Sequence, residues 1–429
     1  MFVRHWTLLV GVFAVASACG DGADPDAADE GGGPDSDSDT DFASDTSEAC
    51  DADGDGATAI SCGGEDCDDG DPTTRPGSVD GWETTTIDEE FGGFTSIAVD
   101  SDGAAHISYA PEDDADDLGA VDVRYATDAS GSWAIEVADP GGQADFYTAM
   151  AIDPAGFVHV VYADDRGELR HLTREEGGWT REVLRTEDLG WGWPSLRIEE
   201  SGVLHVGYAL GQAPPEGGVF EWSVLHLVNA GDGWTTESLQ PDDDVGNAFG
   251  LALGADGRVD FLYSDWTHAD NRYATNASGA WETTSIGEGR LDLVCPEIDA
   301  SGTVHAAMLY DWVPSYATNA GGTWTIEPIG ERSYMPSLGL ALDAAGAAHV
   351  CYQSGSDPGD LHYATNASAK WTDEIVELGD TATGRWCSIG VAADGVVHIA
   401  YDDSTHLSLR HARGRRADGI DQDCNGADG

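Results

Sequence analysis

Tryptophan returns along this chain at positions 82, 133, 179, 234, 281, 324 and 371. The period is roughly 47 residues, in the range of propeller blades and similar arrays. Matching strings precede six of these tryptophans: VRYATDASGSW, LRHLTREEGGW, LHLVNAGDGW, NRYATNASGAW, PSYATNAGGTW and LHYATNASAKW. Earlier in each unit stands a second pattern. SIAVDSDGAAHISY is followed by MAIDPAGFVHVVY, LRIEESGVLHVGY, LALGADGRVDFLY, EIDASGTVHAAMLY, LALDAAGAAHVCY and GVAADGVVHIAY. Each unit reads as four short strands with Gly, Asn and Asp at the turns. One such sheet cannot hide both faces, so neighbouring units must stack. Seven copies predict an all-β, seven-bladed β-propeller over residues 82–416.

The phase of the repeat predicts how the ring closes. The chain enters at Trp82, a fourth strand with no third strand before it. It leaves after Leu407 to Ala412, a third strand with no tryptophan strand after it. The Trp82 segment is therefore expected to complete the last blade and to cover two sheet edges. The YATNASGxW turns resemble the Asp-box hairpin of sialidase-like propellers. No arginine triad of that family is evident here, so the resemblance implies the fold alone.

The remainder of the chain speaks of location. Residues 1–18 carry Arg4, an apolar stretch from Leu8 to Val15, and the small residues Ala16, Ser17 and Ala18. That is a signal peptide, too short to span a bilayer. Ala16–Cys19 resembles the lipobox of bacterial lipoproteins, which implies lipid on Cys19 and anchoring at the outer membrane or cell surface. Plain secretion, with cleavage near Ala18, is the alternative. Residues 19–49 are acidic and almost free of apolar side chains, Phe42 excepted. Such a segment cannot bury enough surface to offset its ordering entropy and reads as a disordered linker. The whole chain has 19 basic and 80 acidic residues, a net charge of −61. Nucleic acid is excluded as a partner, since phosphate binding needs a basic stripe. The acid excess also fits solubility in a salty medium.

Two acidic, cysteine-bearing segments flank the repeats, at 50–81 and 417–429. Asp51, Asp53 and Asp55 alternate, with Gly56 next, as in the opening of an EF-hand-like calcium loop. Cys62 stands where the bidentate Glu is expected; Asp68, Asp69, Asp71, Asp421 and Asp423 are candidates to complete an oxygen shell. Acids outnumber nearby His or Met, so calcium is favoured over copper. The alternative is a disulfide-pinned acidic loop without a tightly held metal. Residues 50–77 and 418–426 together resemble the bacterial MopE-type metal-binding motif family, here split by the whole repeat region. That family has a further Cys where this chain has Ala417. With the halves reunited beside the last blade, disulfides Cys67–Cys424 and Cys50–Cys62 are expected. Cys295, Cys351 and Cys387 lie in the blades, and the sequence leaves their pairing open.

Two sets of residues are candidates for chemistry. Six units place a histidine at one position: His106, His159, His205, His305, His349 and His398. Five have an acid six residues earlier: Asp100, Asp153, Glu199, Asp299 and Asp343. The copies read as a carboxylate–imidazole clamp across each hairpin rather than as a sixfold active site. The second set comprises loop aromatics outside the repeat pattern. Phe146, Tyr147, Trp191, Trp193, Trp266, Trp312, Tyr334 and Trp386 are the candidate ligand-binding residues, with Phe91, Phe94 and Phe249 in similar loops. They share one face of a propeller and suit sugar rings or peptide side chains. No G-x-S-x-G, H-E-x-x-H or phosphate loop appears, and no catalytic residue is assigned. The expectation is a monomeric cell-surface lipoprotein whose ring binds a glycan or a surface protein. A secreted polysaccharide hydrolase or lyase, and a structural envelope protein without a ligand, are the alternatives.

Overall fold

A computed structural model describes residues 81–414, apart from 90–91, 112–121, 143, 165, 176, 187–193, 213–220, 240–244, 266–267, 290, 334–336, 356–358, 379–382 and 405. The signal peptide, Cys19, the linker and both halves of the cysteine–acid motif lie outside the described residues. So do Cys50, Cys62, Cys67 and Cys424, and all eight candidate metal ligands.

Among the described residues there are twenty-eight strands, from β1 (Trp82–Asp88) to β28 (Ser408–Gly414). They form seven four-stranded antiparallel sheets. Six sheets are consecutive in the chain. The seventh joins β1 to β28, β27 (Val397–Asp403) and β26 (Thr383–Val391). Trp82 pairs with Gly414 and Thr85 with His411, so the N-terminal strand closes the ring as its phase predicts.

Burial explains why each strand has its composition. The second strand of a blade is covered on both faces by neighbouring sheets, and so can be apolar throughout, as Val158–Asp164 is buried along its length. The fourth strand is the rim, and Gly178–Arg185 is mostly exposed. At the first turn, Asp100 accepts from the backbone N–H groups of Asp102 at 2.9 Å and Ala104 at 2.8 Å. Gly103 takes φ +85° there, which is why the pattern ends in glycine.

The histidine–acid pairs are clamps. His205 Nε2 meets Glu199 at 2.9 Å and His106 Nε2 meets Asp100 at 3.2 Å. The other ring nitrogen turns to the third strand: His349 Nδ1 to the Tyr363 hydroxyl at 2.6 Å, His159 Nδ1 to His171 Nε2 at 2.9 Å. In the fourth blade Asp260 replaces the histidine, accepting from Tyr273 at 2.9 Å and pairing with Arg258 at 3.0 Å. The repeating tryptophan fastens one blade to the previous one. Trp234 stands edge-on to His171 at 5.5 Å and donates through Nε1 to Glu182 at 2.9 Å, while Glu182 also meets His171 Nδ1 at 2.8 Å. Trp371 and Trp82 donate likewise to Glu327 and Glu374, each at 2.9 Å.

The open cysteine question resolves into a bond between blades. Cys351, on the second strand of blade six, is joined to Cys387, on the first strand of blade seven. The loop spans 36 residues, which corresponds to roughly 4 kcal/mol on the chain-entropy model. Cys295 is a free thiol among the described residues, and burial pushes its pKa up to about 12.

Candidate functional site

The first strands of all seven blades line a central cavity of about 260 Å³. Blade one contributes Phe94 to Ile97 and blade seven Trp386 to Ile389, with one short segment from each blade between. At the end where these strands begin, three aromatic rings gather. Phe94 lies 4.0 Å from Trp386 and 4.2 Å from Tyr147, between ring centroids. Tyr147 meets Trp386 edge-on at 5.9 Å.

The backbone is bent to place them. Pairing in blade one slips between Gly93 and Ser96, and in blade seven between Arg385 and Ser388. Phe94 and Trp386 sit at these bulges with φ of 55° and 53°. A non-glycine residue in that conformation costs roughly 1–2 kcal/mol, and a bulge re-aims a side chain off the regular pleat. The Thr95 hydroxyl donates to the Trp386 carbonyl at 2.8 Å and ties the two bulges together. Burial raises the pKa of the Tyr147 hydroxyl, which stays protonated. The Arg385 guanidinium lies 5.5 Å over the Trp386 ring. Trp386 Nε1 is buried and has no partner among the described residues.

Further along the strands the cavity is crossed by one ion pair, Arg197 Nη2 to Glu297 Oε1 at 2.6 Å. Glu297 is the one carboxylate among the described lining residues. Glycoside hydrolysis ordinarily needs two carboxyl groups flanking the scissile bond. The acids whose pKa burial raises are elsewhere, in the seams: Asp260 beside Tyr273 and Arg258, Glu374 under Trp82, and Glu377 against Tyr401 and Arg410. They secure blades and do not face the cavity.

Of the candidate ligand-binding residues, the fold brings Tyr147 and Trp386 together at the mouth. Trp312 is half-buried in the turn after the second strand of blade five, at φ 66°, and does not line the cavity. Phe146 lies in a described strand, but its side chain is outside the description; Trp191, Trp193, Trp266 and Tyr334 lie outside the described residues. Phe249 is packing: it is buried, 5.7 Å from Phe261. The Arg197–Glu297 pair escaped the reading of the sequence, although a signal was present. Two residues before the turn acid the blades carry Ala98, Ala151, Ala252, Ala341 or Gly390, and only blades three and five depart from small residues, with Arg197 and Glu297.

No family model matches the chain, and no curated protein is similar to it in sequence. In structure it is similar to the lectin of Aleuria aurantia, a six-bladed β-propeller with a fucose recognition mode. The identity is 14% and the TM-score 0.50, over 70% of this chain and 99% of that one. It is also similar to AofleA of Arthrobotrys oligospora, at 12% identity and a TM-score of 0.49, over 71% of this chain and 96% of that one. The intramolecular trans-sialidase of Ruminococcus gnavus follows at 10% identity and a TM-score of 0.43, over 80% and 99%. At these identities the likeness is one of fold: an all-β propeller, here with seven blades.

Proposed function

We propose that this chain is a cell-surface, lipid-anchored propeller that binds a glycan or protein ligand at the aromatic end of its central cavity. The observation that carries the reading is a mouth built of three converging rings above a cavity whose described lining holds one carboxylate, ion-paired to Arg197. Aromatic faces suit stacking and orientation of a ligand. The lectin-like and sialidase-like structural neighbours agree with a glycan ligand and do not name one.

The test is a glycan array probed with the full chain, followed by Trp386→Ala on any glycan that binds. Loss of about 2 kcal/mol, roughly thirtyfold, is expected for an aromatic anchor, with the melting temperature shifted by only a few degrees. Binding that survives the substitution would move the ligand away from the mouth.

The same reading includes Cys19 as the lipid-bearing residue and calcium in the reunited cysteine–acid motif. Cys19→Ser should shift the protein from the membrane to the soluble fraction, because more than one acyl chain is needed for stable anchoring. A chelator should lower the melting temperature through loss of a ligand bound to the folded state. Unchanged fractionation removes the anchor from the reading, and an unmoved melting temperature removes the metal.

A further inference from the structure

The seam between blade seven and blade one lacks the tryptophan–glutamate fastening seen at Trp234, Trp371 and Trp82. In five blades the residue paired with the third-strand ring is a glutamate: Glu136, Glu182, Glu237, Glu327 or Glu374. In blade seven it is Thr85, opposite His411. The acid that precedes the clamp histidine elsewhere is here Ala392. His398 Nε2 is accordingly buried without a partner among the described residues. Blade four also has a threonine, Thr284, but the Tyr273 hydroxyl there is engaged by Asp260. At the closing seam nothing among the described residues takes over. A pocket of about 450 Å³ opens instead, lined by Thr85, His411 and Trp133, with Glu83, Asp102, Asp128 and Arg413 around it.

His411 is 3% exposed. It is hydrogen-bonded through Nε2 to His398 Nδ1 at 3.1 Å, and its Nδ1 has no partner among the described residues. Trp133 stands edge-on to it, 4.9 Å away at 63°. That is the approach by which Trp234 and His171 converge on Glu182. No carboxylate stands here in the place of Glu182, and both rings line the pocket. A buried N–H is less often left orphaned than a lone pair. That assigns the His398–His411 proton to His398 Nδ1 and puts an N–H on His411 Nδ1, aimed into the pocket.

The chemistry of the wall selects the occupant. The floor offers the His411 N–H and asks for an oxygen. The rim offers three carboxylates, which accept, and one guanidinium, which donates. A free carboxylate would face three acids against one arginine. A cation would face the His411 N–H and the Arg413 guanidinium. An uncharged polyol meets both, because each hydroxyl accepts and donates, and the indole supplies an apolar surface for its C–H groups. The volume lies within the ordinary range for small-ligand sites, roughly 300–1,000 Å³. We propose that the closure seam is a binding site for one uncharged sugar residue, separate from the aromatic mouth. The pocket is lined by the turn after the first strand of blade one (Asp102 to Ala104) and the turn before its fourth strand (Asp128 to Trp133), whereas the mouth lies where the first strands begin. The two sites thus open toward opposite faces of the ring, and the seam site does not depend on the mouth binding anything.

The experiment titrates the full chain calorimetrically with methyl glycosides of neutral hexoses and deoxyhexoses. At least one is expected to bind. Thr85→Glu rebuilds the carboxylate of the other seams in the space meant for the ligand oxygen. It should abolish binding without lowering the melting temperature. Asp102→Asn, which removes the charge and one of the two acceptor oxygens but no packing, should weaken binding about tenfold. Trp386→Ala should leave it unchanged. Absence of binding up to roughly 10 mM, far weaker than ordinary recognition, overturns the proposal. So does a Thr85→Glu protein that binds like the parent, and so does a response confined to Trp386→Ala, which assigns the sugar to the mouth.

Discussion

Replacing Trp82 with alanine is expected to lower the unfolding free energy by about 3–5 kcal/mol, the cost of truncating a buried tryptophan. Trp82 is 6% exposed and packs in one cluster with Leu361, Tyr363, Val376, Val397 and Ala412. Its ring meets Tyr363 edge-on at 5.1 Å, and its Nε1 donates to Glu374 at 2.9 Å. Burial raises the Glu374 pKa, and the hydrogen bond from Trp82 holds it down. Alanine would leave both a cavity and a buried carboxylate without that donor. The residue also begins the strand that closes the ring, so its packing helps hold that strand against β28. Urea unfolding of Trp82→Ala and Trp82→Phe separates the parts: the phenyl ring should retain most of the packing and lose the N–H. A loss below about 1 kcal/mol for alanine, typical of an ordinary surface site, would mean that the first strand is no clasp.

The closure was legible in the sequence because it is a matter of counting. A tryptophan strand without a third strand before it, and a third strand without a tryptophan strand after it, need one another. The clamps were legible because an acid and a histidine six residues apart across a D-x-x-G turn must face each other on neighbouring strands. The mouth was not legible to the same degree. Phe94 and Phe249 occur in equivalent loops, yet one lines the mouth and the other packs against Phe261. Both strands slip, between Gly93 and Ser96 and between Val245 and Phe249, but Phe249 is back in register opposite Tyr263 whereas Phe94 lies within the slip at a positive φ, and a shift of one residue exchanges the faces of a strand. Nothing local in the sequence announces such a bulge. The Cys351–Cys387 bond depends on two strands of adjacent blades approaching within reach, which strand patterning does not specify.

Stability is expected to fall by several kcal/mol as pH drops from 6.5 to 5, with buried histidines as the cause. Burial lowers the pKa of His159, His171, His226, His349 and His398, and that of His411 to about 3. For His411 the neighbouring His398 and Arg413 act in the same direction. A histidine whose folded pKa is depressed stays neutral while its unfolded counterpart gains a proton. Its contribution is whole above the unfolded value of 6.5 and shrinks as pH falls toward the folded value. At pH 5 the loss from His411 alone is about 2 kcal/mol by linkage. The carboxylates titrate lower. For Asp100, burial raises the pKa but hydrogen bonds from Ala104 and His106 outweigh it, so its contribution is lost only at more acid pH. Glu374 and Glu377, raised chiefly by burial, act in the opposite sense and gain stability on protonation. His411→Tyr isolates the histidine term, since four other blades carry Tyr125, Tyr273, Tyr316 or Tyr363 at this position. The hydroxyl can meet His398 as Tyr363 meets His349, at 2.6 Å, without titrating in this window. Urea midpoints measured from pH 7.5 to 5 should fall less steeply for the variant, by about 2 kcal/mol over the range. Equal slopes would mean that His411 is already charged or solvated in the folded ring, and the buried, neutral imidazole facing the seam pocket would have to be abandoned.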